Sequence, residues 1–81
     1  MNDPTDMLTA SDRDILIDLL NNGDNSPSNI ADNIDRHSKT VSERLSTLED
    51  EGYVVPKGSG GVWTMTERGL HSAQILNRHR S

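Results

Sequence analysis

Asp35-Arg36-His37 is a three-residue break without an apolar side chain, set between two amphipathic stretches. Before it, Ile30, Ala31 and Ile34 form one apolar stripe; after it, Val41, Leu45 and Leu48 recur at i, i+4 and i+7. Both spacings are helical. The break reads as a tight turn between the two helices.

The flanking chain supplies the rest of that core. Thr9 followed by Asp12 has the spacing of a helix cap, and Ile15, Leu16, Leu19 and Leu20 make a stripe that ends at Asn21-Asn22-Gly23. Ser26-Pro27 reads as the cap and first position of the next helix. The helix that begins near Ser38 is expected to stop at Gly52, where a left-handed backbone costs glycine little. Tyr53-Val54-Val55 and Val62-Trp63-Thr64-Met65 are β-prone and flank Gly58-Ser59-Gly60-Gly61, which predicts a hairpin. Thr66-Glu67 opens a last helix, with Leu70, Ala73 and Leu76 expected inward and Arg78-His79-Arg80 at its negative end. The expected architecture is mainly α with a small β-hairpin, in the order helix, helix, helix, wing, helix. A flexible N-terminal segment over 1–8 is expected to precede a folded domain over 9–80.

Composition narrows the classes. The chain has 81 residues, no cysteine, and a net charge of -5. Disulfides and thiolate metal sites are excluded, and with 31% apolar residues the core is thin. A partner subunit would bury useful surface, so a homodimer is expected. No apolar run approaches the roughly 20 residues of a membrane span. The polar, acidic start at Met1-Asn2-Asp3-Pro4-Thr5-Asp6 is unlike a secretory signal, so the expected location is cytoplasmic. Charge is unevenly spread: residues 1–35 carry eight Asp and one Arg, a balance of -7, whereas residues 36–81 balance at +2.

The basic half also contains the chemistry. A short helix and a longer one joined by a tight turn can lay the longer one in a DNA major groove. With Val41, Leu45 and Leu48 inward, Lys39, Glu43, Ser46 and Thr47 face the other way, Thr40 and Ser42 flank them, and Arg44 sits on a shoulder. Hydroxyls bond base edges or phosphates, Lys and Arg prefer guanine or phosphate, and Glu accepts from cytosine. Arg36, His37, Ser38 and Lys39 gather positive charge and open amides where a phosphate would lie. Lys57, Gly58 and Ser59 form a slim hairpin tip able to follow a groove or backbone.

The run from Ser38 to Val54 resembles the recognition helix and wing of prokaryotic winged helix-turn-helix transcription regulators. It is hydroxyl-rich at its start, then carries Val41-Ser42-Glu43-Arg44-Leu45 and Leu48-Glu49-Asp50-Glu51-Gly52 before an apolar pair. Met65-Thr66-Glu67-Arg68-Gly69 is similar to the same regulators' exit from the wing. The resemblance implies a dimer on double-stranded operator DNA, with Ser38, Lys39, Thr40, Ser42 and Arg44 at the major groove. It also implies the hairpin near Lys57–Ser59 on the flanking backbone. Glu43 and the weakly charged hairpin depart from that pattern. Six Arg against two Lys, abundant Asp and a low pI resemble proteins of salt-loving archaea, and the nearest likeness is to compact regulators similar to a haloarchaeal virus repressor. In molar salt the screening length is about 3 Å, so specificity would rest on base contacts rather than on broad positive charge.

Other features carry less. His71 and His79 stand eight apart, too far for the usual i, i+4 metal pair, and no metal or cofactor is expected. Trp63 reads as core packing, and Gly58-Ser59-Gly60-Gly61 sits between strands rather than before a phosphate-binding helix. No enzyme signature or small-molecule pocket is expected, nor room for an attached sensor domain. Ile17 falls off the first helix's apolar stripe and is an expected surface residue, either a candidate dimer contact or simply a tolerated surface apolar. The alternative reading is a winged-helix protein–protein interaction module, which the net negative charge suits.

Overall fold

The computed structural model describes residues 7–80, and the side chains of 7–78. Helix α1 spans Ala10–Asn22, α2 Pro27–Ile34, and α3 Ser38–Asp50; strands β1, Val54–Lys57, and β2, Val62–Met65, form the hairpin, and α4 runs over Glu67–Arg80. This is the winged helix-turn-helix order, with α2 and α3 as the crossed pair. Most of the expected N-terminal segment lies outside the described residues. Of the remainder, Met7 is exposed and Leu8 is buried in the core.

Local chemistry sets the boundaries. The Thr9 hydroxyl accepts from the Asp12 N–H at 3.1 Å while the Asp12 carboxylate accepts from the Thr9 N–H at 3.0 Å, a complete capping box on α1. Ser26 caps α2 by accepting from the Asn29 N–H. The turn after α2 is made by Asp35 in the left-handed region, φ 57°, and the Arg36 N–H reaches back to the Ala31 carbonyl. At the end of α3, Gly52 has φ 85°; its N–H donates to Glu49 and the Tyr53 N–H donates to Leu48. That doubly bonded ending aims the chain into β1 and buries Tyr53 beside Leu48.

Strand β1 pairs antiparallel with β2 from Val54↔Met65 to Lys57↔Val62. Sequence reading missed a further rung. Trp63 exchanges both backbone hydrogen bonds with Asn25, in the link between α1 and α2. Because Trp63 spends its backbone groups on that side, its opposite partner in β1 needs no inward donor, and Pro56 fits there.

The core joins Ile15, Leu16 and Leu19 of α1, Ile30 of α2, Val41, Leu45 and Leu48 of α3, Val54, and Leu76 of α4. Two expectations fail. Ile17 is only 7% exposed, because α1 is packed by α2, α3, α4 and β2 and has little open face left. Leu70 is 41% exposed, because α4 presents Gly69, Ser72, Ala73 and Leu76 inward instead. Gly69 decides that rotation: a Cβ there would strike the Tyr53 carbonyl oxygen and crowd Met65.

Candidate nucleic-acid interface

The outer face of α3 is built by its inner one. Val41, Leu45 and Leu48 are fully buried, which leaves Ser38, Lys39, Ser42, Glu43 and Ser46 exposed and Thr40, Arg44 and Thr47 half-buried at the flanks. The Thr47 hydroxyl donates back to the Glu43 carbonyl at 3.3 Å, leaving its lone pairs outward. His37 occupies the cap position of α3 but makes no capping bond through its side chain. The first-turn amides of α3 therefore lack the side-chain cap that Thr9, Ser26 and Thr66 give the other helices. Uncapped amides at the positive end of a helix suit a phosphate.

The cations are less free than sequence reading expected. Arg36 donates through Nε and Nη2 to one Asp14 oxygen, at 3.3 and 3.0 Å. Lys57 donates to Asp24 at 2.8 Å. Arg44, expected on the reading face, instead grips Asp12 with Nε and Nη2 at 2.8 and 2.9 Å. The cause is burial: the Asp12 side chain is 1% exposed and needs a charged partner, and Arg44 reaches it from the adjoining turn of α3. Burial alone would raise the Asp12 carboxyl. The Arg44 hydrogen bond, the Thr9 backbone N–H and the guanidinium charge outweigh burial and hold Asp12 below the ordinary carboxylate range. Asp24 is lowered too, by the hydrogen bonds from Lys57 and Thr64. Among the described side chains, Lys39 is the one Lys or Arg with no partner.

The structure thus gathers Ser38, Lys39, Thr40, Ser42, Glu43 and Thr47 on one helix, with Arg36 and His37 at its entrance. Lys57, Gly58 and Ser59 sit apart, on the hairpin. Sequence reading missed the carboxylates that hold these cations. The one available signal was the -7 and +2 split, since opposite charges within one small domain tend to meet.

A family model described as winged helix-turn-helix DNA-binding matches residues 8–55, more than half of the chain. The chain belongs to that family. This winged helix is of a DNA-binding family, and its α1, α2, α3 and the first two residues of β1 fall inside the matched region. No curated protein matches its sequence. Solved structures share its fold. A MarR family regulator from Neisseria meningitidis, NMB1585, is similar at 22% identity and a TM-score of 0.80, over 90% of this chain and 55% of that one. Wild-type ZitR from Lactococcus lactis gives 24% identity and 0.78, over 91% of this chain and 53% of that one. Wild-type ZitR in complex with DNA gives 18% and 0.75, over 99% of this chain and 58% of that one. The winged helix therefore spans little more than half the length of these neighbours. Among its described residues, no helix is long and apolar enough to cross a membrane.

Proposed function

We propose that this winged helix is a sequence-specific transcription regulator, acting as a repressor on double-stranded DNA. The observation that carries the proposal is the outer face of α3: short hydroxyls and one unpartnered lysine around an uncapped helix start, in a family that binds DNA. Ser42 and Ser46 read base edges, Lys39 and the first-turn amides hold phosphate, and Lys57–Ser59 meets the flanking backbone. Glu43 selects against bases that offer it no donor. ZitR, a neighbour by fold, has been solved with DNA, which supports the same use of the fold here.

The domain works as a homodimer through its first and last helices, and the exposed Leu70 on α4 supports that reading. Its low pI and preference for Arg over Lys fit the salt-rich cytoplasm of a halophilic archaeon. Fluorescence anisotropy with genomic fragments in about 2 M potassium chloride, beside dilute buffer, tests the reading. Selected fragments should bind in high salt, and Ser42→Ala should weaken them about ten- to hundredfold while sparing random duplex. Identical binding of every fragment by wild type, Ser42→Ala and Lys39→Ala would overturn it.

A further inference from the structure

The three ion pairs around the proposed DNA face have one construction and two kinds of burial. Each joins an Asp between positions 12 and 24 to a cation from position 36 onward. In the Asp12–Arg44 pair the carboxylate is 1% exposed and part of a helix cap, so nothing from solvent can replace it. The Asp24–Lys57 pair is open, with side chains 36% and 64% exposed, and Asp14–Arg36 is open as well. Exposed pairs are weak, and a phosphate oxygen is the same kind of acceptor as a carboxylate oxygen.

We propose that Asp24 and Asp14 are built-in competitors of the DNA phosphates, so that Lys57 and Arg36 engage DNA by exchanging a carboxylate for a phosphate. The proposal rests on the reading of this surface as DNA-facing. Asp24 cannot drift away from Lys57, because the next residue, Asn25, is bonded through both backbone groups to Trp63 of the same hairpin. The carboxylate stays at high local concentration and must be displaced at every binding event. The exchange also alters the response to salt. Each phosphate contact releases a counterion from DNA, but the freed carboxylate takes one up, and the net salt slope shrinks. A regulator built this way discriminates less by backbone attraction and more by the hydroxyls of α3.

The test uses a labelled random-sequence duplex, the full chain, and six variants: Asp24→Asn, Asp14→Asn, Lys57→Gln, the Asp24→Asn/Lys57→Gln double, Lys39→Ala, and Asp32→Asn. Asp32 lies on the exposed surface of α2 and gives the same charge change without a cation partner in this set. Asp24→Asn should bind about two- to fivefold tighter than wild type in dilute salt and steepen the salt slope, by no more than about 0.9. The gain should exceed that of Asp32→Asn, should disappear in the Lys57→Gln background, and should recur with Asp14→Asn through Arg36. Unchanged circular dichroism checks the fold, and Asp14→Asn carries the test independently if Asp24→Asn fails to fold. Weaker binding by both Asp→Asn variants, or a gain no larger than that of Asp32→Asn, overturns the exchange. If Lys39→Ala still weakens binding in that case, the DNA-facing surface stands and only the competition falls. If wild type does not bind, or Lys39→Ala changes nothing, the DNA-facing reading falls and the exchange with it.

Discussion

Helices α3 and α4 are nearly equal in length, 13 and 14 residues, yet opposite forces hold them. Helix α3 fills space: three branched aliphatics reach into the core, and Arg44 reaches across to Asp12. Helix α4 gives space up. Gly69 lets its backbone close on Tyr53 just before β1, and Ser72 and Ala73 lie on its buried face, where α4 packs mainly on α1. The Thr66 hydroxyl locks the approach by donating to Gly52 at 2.6 Å and accepting from the Gly69 N–H. A helix held at arm's length by long side chains keeps a clean polar outer face. One drawn in by small residues becomes a brace. The DNA-facing element and its support are thus separated by side-chain size.

The comparison makes opposed mutational demands. Leu45→Ala in α3 removes buried atoms and should cost about 2–5 kcal/mol. Gly69→Val in α4 adds atoms against the Tyr53 carbonyl and should cost about 3 kcal/mol or more. Either is a large share of the about 4–12 kcal/mol available to a domain of this size. Urea denaturation of both variants checks the pair, and a tolerated Gly69→Val would break the contrast.

Next in size is the ion pair that tethers α3 to α1. Asp12→Asn leaves Arg44 facing a neutral partner and should cost about 1–3 kcal/mol, below the usual figure for a broken buried pair because Arg44 still reaches water. The folded-state pKa of Asp12 is depressed, so its stabilisation is fully present above the ordinary carboxylate value and is lost as pH falls through the lower folded one. Wild type should therefore lose melting temperature more steeply than Asp12→Asn below about pH 4. Parallel losses in the two proteins would show that the pair does not hold α3.

The smallest effect is expected at Leu70. Its side chain is exposed on α4, so Leu70→Ser should change the stability of the monomer by less than about 0.5 kcal/mol. A cost comparable to Leu45→Ala would mean that α4 is turned as its sequence pattern suggested.

That misjudged rotation marks where sequence stopped being informative. Caps at Thr9, Ser26 and Thr66, the ending at Gly52 and the stripe of α3 are local chemistry, and they were legible because each depends on neighbours within a turn or two. Apolar spacing cannot register Gly69 or Ser72 as core residues, since their value lies in how little they occupy. It also underrates Ile17 on a helix covered from several sides. The candidate DNA face was legible as a set of residue types. The ion pairs were not, because their partners stand 22, 32 and 33 residues apart in the chain.

In the proposed function α3, and not the brace α4, meets DNA. Titrating isotope-labelled protein with duplex DNA and following backbone amide resonances tests it most directly. The largest shifts are expected over 37–47, smaller ones over 57–59, and little change at Leu70 and Gln74 on the outside of α4. Shifts concentrated on α4, with α3 unmoved, would contradict it.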